Sequence, residues 1–178
     1  FGDFNGVISA PIARLTAAKG VGETVARELK IIEAAAHRLA QALRQAPALV
    51  ERLVPEIIRW QTPLTGMRRT TTRPVELAGQ EIPENAKVMM WYLSGNRDDS
   101  VIPAANRFII DREQPRRHLS FGFGIHRCVG NRLAELQLKI LWEEILRKGL
   151  KIKLAGAPQR TYSNAVHGFN SIPVCISA

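Results

Sequence analysis

Apolar side chains recur at helical spacing in three parts of the chain. Residues 23–45 are rich in good helix formers and carry an apolar position every three or four residues, and residues 48–60 carry a second stripe of this kind. Each of these two segments ends shortly before a proline. The third segment, residues 132–148, precedes Gly149, a typical helix C-terminal cap. The pattern therefore predicts three helices at these positions.

The rest of the chain lacks helical spacing. Residues 64–95 contain short runs of β-forming residues, such as 75–77 and 87–92, separated by glycine and proline. We predict a small sheet there, and strands with turns in residues 150–178. Residues 94–120 are irregular, and such a long segment inside a compact domain usually has a function or a special packing role. The first 20 residues show no clear period and predict an irregular start.

Composition indicates a soluble protein of a reducing compartment. The chain has 178 residues, 46% of them apolar, and no stretch approaches the ~20 apolar residues of a transmembrane helix. It begins at Phe1 without a charged-then-apolar leader, and it has only two cysteines. We therefore expect a cytoplasmic protein with no transmembrane segment, in a sequence that starts after the true beginning of the protein.

The formal net charge of the chain is +9. Such a charge either maintains solubility or forms a docking face for an acidic partner. The basic residues show no nucleic-acid-binding motif and few interspersed aromatic residues, so we expect no nucleic-acid partner.

A glycine-rich loop, residues 121–130, precedes the third predicted helix. Cys128 lies near the start of that helix, where free backbone N–H groups favour a negative charge and stabilise a thiolate. The glycines let the backbone approach a flat ligand, and His126 and Arg127 supply donors suited to the carboxylates of a large cofactor. The alternative is that Cys128 is only a small buried hydrophobic residue.

This loop matches the pattern Phe-x-x-Gly-x-(His or Arg)-x-Cys-x-Gly at every fixed position. It resembles the haem-ligand loop of the cytochrome P-450 superfamily of haem-thiolate monooxygenases. The resemblance implies that Cys128 is the axial ligand of the iron of haem b. It further implies that Arg68 and His126 bind the haem propionates. The full set of implied cofactor contacts is Arg68, Phe121, Gly122, His126 and Gly130. For Arg68 the alternative is an ordinary surface arginine on a strand.

Glu56 and Arg59 are three residues apart on the second predicted helix, share a face and should pair. They resemble the superfamily's structural Glu-x-x-Arg motif, which a third basic residue completes. Arg107 is our candidate for that residue and Arg112 is the alternative. Residues 94–120 then resemble the superfamily's meander, which accounts for the length of the irregular segment.

The resemblance implies a fold that is mainly α with small β-sheets (α+β), namely the C-terminal, haem-proximal part of the cytochrome P-450 fold. We assign residues 44–178 to this haem-binding part and leave residues 1–43 as a poorly assignable helical segment. Within the superfamily, several stretches are similar to bacterial terminal hydroxylases of alkanes and fatty acids, namely 56–63, 90–92, 94–98, 118–138, 162–164 and 167–168.

The chain departs from the superfamily before residue 44. Members are more than twice as long, with the helices over the haem and an acid–alcohol pair expected upstream. Glu23 and Thr24 are weak candidates for that pair, because Val21 occupies the position of a glycine, and a simple helix N-terminus is the alternative. We therefore expect the chain alone to bind haem weakly and to have no turnover.

The resemblance implies that the complete enzyme inserts one oxygen atom from O2 into an unactivated C–H bond. The similarity to terminal hydroxylases implies that this bond is at the end of an alkane or fatty acid. Segments that enter the substrate pocket supply five lining candidates, for which ordinary strand packing is the alternative: Leu64, Thr65, Met67, His167 and Phe169. The alternatives for the whole chain are a non-catalytic remnant and a haem-binding electron-transfer or sensor protein.

The partners implied are a hydrophobic small-molecule substrate, a ferredoxin or flavodoxin-type protein and its NAD(P)H reductase. Five basic residues around the cysteine loop would form the docking face for such an acidic redox protein. They are Arg116, Arg117, Arg127, Arg132 and Lys139.

Overall fold

The computed structural model describes residues 11–17 and 41–177. Their α-helices are α1 (Ile12–Thr16), α2 (Val50–Gln61), α3 (Tyr92–Gly95) and α4 (Asn131–Arg147), and short 3-10 helices span Pro47–Leu49 and Gly124–His126. Helix α1 lies where we expected an irregular start. Of the predicted helix at residues 23–45, only residues 41–45 are described, and they are helical.

Helix α2 supplies the centre of the core. It starts after the 3-10 turn that contains Pro47, and it ends at Thr62, whose backbone adopts the left-handed region with φ 41°. The buried apolar residues that pack together on this helix and before it are Leu43, Val50, Leu53, Val54 and Ile58. Leu138 and Trp142 of α4 pack against this cluster, which joins the two long helices.

Helix α4 runs from Asn131 to Arg147, one residue from the predicted bounds at each end. Its end is a Schellman motif: the N–H of Gly149, at φ 64°, donates to Leu146 O (3.1 Å), and the N–H of Leu150 donates to Ile145 O (3.0 Å). The capping role predicted for Gly149 is confirmed.

Four two-stranded antiparallel sheets complete the described part of the chain. Strand β1 (Gly66–Thr70) pairs with β4 (Lys87–Trp91), and β2 (Val75–Leu77) pairs with β3 (Gln80–Ile82). In the tail, β5 (Lys151–Leu154) pairs with β8 (Val174–Ser177), and β6 (Gln159–Arg160) pairs with β7 (Phe169–Ser171). The predicted strand at residues 75–77 is thus present, and the one predicted at residues 87–92 is present except for Tyr92, which begins α3.

The segment between α3 and the 3-10 helix at Gly124–His126 contains neither α-helix nor strand, as the sequence predicted. No helix in the described ranges is both long and apolar enough to cross a membrane.

Candidate functional site

The site is built on a buried ion cluster beneath the irregular segment. Glu56 and Arg59, on α2, are both 0% exposed, and two Arg59 N–H groups donate to the Glu56 carboxylate at 2.8 Å each. The third member is Arg112, whose Nε donates to Glu56 Oε2 at 3.0 Å. The backbone N–H of Ile109 donates to Glu56 Oε1 at 2.8 Å, so the carboxylate also holds the irregular segment directly.

The prediction that Arg107 completes the Glu56–Arg59 pair is wrong. The side chain of Arg107 is exposed, and its contribution is its carbonyl oxygen, which accepts hydrogen bonds from Arg59 Nη2 (3.0 Å) and Arg112 Nη2 (2.9 Å). The alternative, Arg112, occupies the position. The two residues are five apart in a segment without regular structure, where sequence spacing does not determine the direction of a side chain.

Every N–H group of Arg59 has an acceptor. Besides the two bonds to Glu56, its guanidinium donates to the carbonyl oxygens of Asn96 (2.7 Å), Ala105 (2.8 Å) and Arg107. A guanidinium offers five donors in a fixed plane, so this one side chain fixes three points of the irregular segment relative to α2.

The cluster keeps Glu56 ionised. Burial alone raises the pKa of the Glu56 carboxyl, but hydrogen bonds from Arg59, Ile109 and Arg112 outweigh it and lower the pKa below its ordinary value. Because the folded-state pKa is depressed, this group stabilises the fold above the ordinary glutamate range. That stabilisation is lost as the pH falls through the folded-state pKa.

A second buried network joins the end of α2 to the cysteine loop. The side-chain amide of Asn96 donates to Thr62 Oγ1 and to Ser120 Oγ, both at 2.9 Å, and its carbonyl oxygen accepts from the N–H of Leu119 at 2.6 Å. Ser120 in turn donates to Ile58 O at 2.8 Å. Asn96 and Ser120 therefore fix the residues that lead directly into Phe121.

Sequence reasoning missed this network. Asn96 and Ser120 lie in stretches that resemble the superfamily, but their polar side chains carried no periodic signal. Asn96 is completely buried, and a buried amide must find hydrogen-bond partners. Asn96 directly follows helix α3, which itself follows strand β4. An asparagine at such a position, where the chain enters the core, is the signal that could have identified this residue.

The cysteine loop closes on itself through its backbone. The N–H of Cys128 donates to Phe121 O at 2.9 Å, and the N–H of Arg127 donates to Gly124 O at 3.0 Å. Gly122 has φ 72°, and a Cβ there would lie 3.1 Å from Tyr92 Oη, so both the backbone conformation and the tight contact favour glycine. This glycine allows the loop to pack against α3.

Cys128 is an exposed free thiol, so the alternative of a buried hydrophobic cysteine is contradicted. It lies two residues before Gly130, the N-cap of α4, and the first turn of that helix contains no acidic residue. Phe123, Ile125 and Val129 surround it in sequence and are at least 83% exposed. The thiol is thus presented on an apolar surface beside the N-terminus of a helix, where an anion is favoured.

His118 lies buried behind the loop. Its Nδ1 accepts from the N–H of Ser120 (3.3 Å), its ring contacts Phe121 (centroids 5.7 Å apart), and its Nε2 is buried without a partner among the described residues. Burial, with a smaller effect from the Arg127 charge, lowers the pKa of His118 to about 4. His118 therefore stays neutral at neutral pH.

The remaining predicted residues lie on the segments after α2 and near the C-terminus. Arg68 is exposed on β1, opposite Met89 of β4, and Met67 is 39% exposed beside it. Leu64 forms an isolated antiparallel bridge with Val166. This bridge brings the two candidate substrate-lining segments together.

Thr65 and His167 line one cavity of about 320 Å³, together with Arg160. Phe169, on β7, lies under the Arg160 guanidinium, which is 4.6 Å from the ring centroid. Glu23 and Thr24 lie outside the described residues.

Acidic residues partly neutralise the predicted basic face. Glu135 is 3.4 Å from Arg116 and 3.3 Å from Arg132, while Lys139 pairs with Glu51 at 2.8 Å. Arg117 and Arg127 are exposed and form no ion pair within the described ranges.

With this geometry in place, comparison with known proteins decides the family. The family model for Cytochrome P450 matches residues 7–159. The chain belongs to the cytochrome P450 family. The match includes Glu23 and Thr24, and the mixture of helices with small antiparallel sheets confirms the predicted fold class.

Relatives include Cytochrome P450-terp of Pseudomonas sp, which is 41% identical over 128 residues, 72% of this chain and 30% of that protein. Linalool 8-monooxygenase of Pseudomonas putida is 39% identical over 75% of this chain and 33% of its own length. Methyl-branched lipid omega-hydroxylase of Mycobacterium bovis is 37% identical over 72% of this chain and 29% of its own length. The chain thus spans about a third of the length of these relatives.

Solved structures of cytochrome P450 proteins superpose on this chain. Cytochrome P450-153 from Novosphingobium aromaticivorans superposes with a TM-score of 0.75 at 38% identity, covering 98% of this chain and 40% of that one. CYP153D17 from Sphingomonas sp. PAMC 26605 gives a TM-score of 0.73 at 48% identity, over 80% of this chain and 36% of that one.

Cytochrome P450 proteins bind haem b, and the residues present fit this group. The exposed Cys128 thiol is a soft ligand for iron, and the apolar side chains around it suit the face of a large flat ring. Gly124 has a positive φ, and no atom lies within 4 Å of where its Cβ would be, so the loop backbone is open to close approach at this position.

Proposed function

We propose that this chain is the haem-binding part of a haem-thiolate monooxygenase that hydroxylates the terminal carbon of an alkane or fatty acid. The observation that carries the proposal is the Cys128 thiol, exposed at the start of α4 on a loop that two buried networks hold from behind. In a P450 chain, a thiol in this setting is suited to iron.

In this proposal the Cys128 thiolate would hold the haem iron, and Arg68 and His126 would bind the propionates of the cofactor. Haem held by a thiolate supplies the chemistry, which is activation of O2 and insertion of one oxygen atom into a C–H bond. Phe121, Gly122 and Gly130 would form the close backbone surface against the ring.

The protein residues keep the ligand in position. The hydrogen bond from the N–H of Cys128 to Phe121 O holds the loop backbone at the cysteine. The Asn96–Ser120 network fixes the residue before Phe121, and Glu56 with its two arginines fixes the segment before that. A ligand supported in this way needs little reorganisation when the metal binds.

One observation supports a terminal C–H bond as the point of attack, and a second supports an aliphatic substrate. One relative is a methyl-branched lipid omega-hydroxylase by name. The bridge between the two segments also brings apolar Leu64 and Val166 together, which provides surface for an aliphatic chain.

We further propose that electrons arrive from an acidic ferredoxin or flavodoxin, reduced by an NAD(P)H-dependent reductase, at the face that carries Arg117 and Arg127. These two arginines lie exposed on either side of the cysteine loop's start and have no acidic partner in the described ranges. A positive surface of this kind attracts an acidic protein and speeds its docking.

The ligand assignment is tested by adding haem to the 178-residue chain and recording the reduced, carbon monoxide-bound spectrum. We expect a weak but red-shifted thiolate band in the wild type and in Cys175→Ser, and no such band in Cys128→Ser. Cys175 is the matched control because it is also an exposed free cysteine, on β8. A thiolate band that persists in Cys128→Ser would reject the assignment, and steady hydroxylation by the chain alone would contradict the expected lack of turnover.

A further inference from the structure

The cavity beside the bridged segments has an unusual charge. It lies between the chain that follows α2 and the β6–β7 hairpin, measures about 320 Å³, and five of its seven lining residues have polar side chains. Arg160 is the one cation in its lining, and the lining contains no carboxylate. Acidic side chains offset several arginines elsewhere in the described part of the chain, but not this one.

His167 holds Arg160 in place without neutralising it. Arg160 Nη1 lies 3.1 Å from His167 Nε2, and a guanidinium can only donate, so Nε2 is the acceptor. The proton is therefore on Nδ1, which donates to Gln61 O at 2.8 Å. Both ring nitrogens are thus used in the neutral tautomer, and His167 adds no charge to the cavity.

Most of the Arg160 donors remain available. Its guanidinium lies over the Phe169 ring, which limits the movement of the group, and the bond to His167 uses one N–H. The other N–H groups have no acceptor among the described residues. A planar guanidinium held in this way offers the paired donors that bind a carboxylate with two parallel hydrogen bonds.

Ser163 adds a second donor to the same cavity. Its hydroxyl oxygen accepts hydrogen bonds from the backbone N–H groups of Ala165 (3.1 Å) and Val166 (3.0 Å). Because the oxygen is used as an acceptor, the hydroxyl proton is left to donate, and no acceptor for it lies in the described part of the chain. The free donors of the cavity therefore match an acceptor-only anion.

We propose that Arg160 and Ser163 form a subsite for the carboxylate of an aliphatic acid. The inference rests on the proposed function and deepens it. It selects a fatty acid over an alkane, because an alkane offers the arginine nothing to bind. Thr65 and His167 line the subsite, and the Leu64–Val166 bridge beside it provides apolar surface for the first part of the aliphatic chain.

The test is calorimetric titration of the 178-residue chain with octanoate and with octan-1-ol, its neutral counterpart of equal chain length. We expect octanoate to bind at least roughly tenfold more tightly, as a charge-assisted bond to a partly solvated arginine would give. Arg160→Gln should weaken octanoate binding about tenfold and leave octan-1-ol binding unchanged, and Arg160→Lys should retain part of the difference because it keeps the charge without the planar fork. Arg73→Gln, in an exposed turn, is the matched control and should bind both ligands as the wild type does.

Equal binding of the two ligands by the wild type would overturn the proposal, and so would an equal loss of both in Arg160→Gln. Because Arg160 also holds His167, circular dichroism must show that the variant is folded. If it is not, the wild type still decides: added salt should reduce the preference for octanoate, and a preference insensitive to salt would reject an ionic contact. The titration needs no haem, so it is independent of the Cys128 spectrum: failure of one does not imply failure of the other.

Discussion

Replacing Glu56 with glutamine should remove much of the stability of the described fold. Both carboxylate oxygens accept hydrogen bonds: Oε1 from Ile109 and Arg59, and Oε2 from Arg59 and Arg112. An NH2 group in place of either oxygen would therefore face other N–H donors and could not accept their hydrogen bonds. Both guanidiniums would also lose their counter-charge while at least 93% buried. Loss of one partner from a buried ion pair costs about 3–5 kcal/mol, out of roughly 5–15 kcal/mol for a typical domain.

Urea unfolding followed by circular dichroism measures this effect. We expect Glu56→Gln either to lower the unfolding midpoint strongly or to have no folded baseline. The control is Glu144→Gln, the same substitution in an exposed pair with Arg147 at the same i, i+3 spacing, which should leave the midpoint nearly unchanged. A Glu56→Gln chain within about 1 kcal/mol of the wild type would refute the reasoning, because the cluster would then contribute no more than a surface pair.

Two further predictions concern the cysteine loop. The pKa of His118 is about 4 in the folded chain and 6.5 when exposed, so between these pH values only the unfolded chain takes up the proton. Acidification from about pH 6.5 to 4 should therefore lower the free energy of unfolding by about 3 kcal/mol. His118→Phe should flatten this slope in urea midpoints measured across that pH range, and an unchanged slope would assign it to other groups. Gly122→Ala should lower the thermal midpoint more than Gly124→Ala, since both have positive φ but only the Cβ at position 122 would meet Tyr92 Oη. Equal shifts would mean that backbone strain alone matters.

Regular structure could be predicted from the sequence because helices and strands impose a regular spacing on apolar residues. The apolar stripe of α4 and the glycine after it gave both ends of that helix to within one residue. Glu56 and Arg59 could be paired because a helix fixes the direction of side chains three residues apart. Local geometry is enough for such features.

The irregular segment follows no such rule. Arg107 and Arg112 were both available as the third member of the cluster, and only the path of the chain in space shows that Arg112 turns inward while Arg107 offers its carbonyl oxygen. The side-chain hydrogen bonds of Asn96 span 23 to 34 residues of sequence, so no local pattern reveals them. The same is true of the hydrogen bond between Arg160 and His167, which depends on the conformation of the β6–β7 hairpin.

The way Arg59 holds the irregular segment has a consequence for sequence variation. Its guanidinium grips the carbonyl oxygens of residues 96, 105 and 107, and every amino acid has a carbonyl oxygen. The bonds of Arg59 to this segment therefore depend on the position of its backbone and not on the identity of its side chains. Substitutions at exposed positions of this loop can accumulate freely, while an insertion or deletion of one residue would move the oxygens out of reach. Drift in this part of the protein should consist of substitutions at constant length.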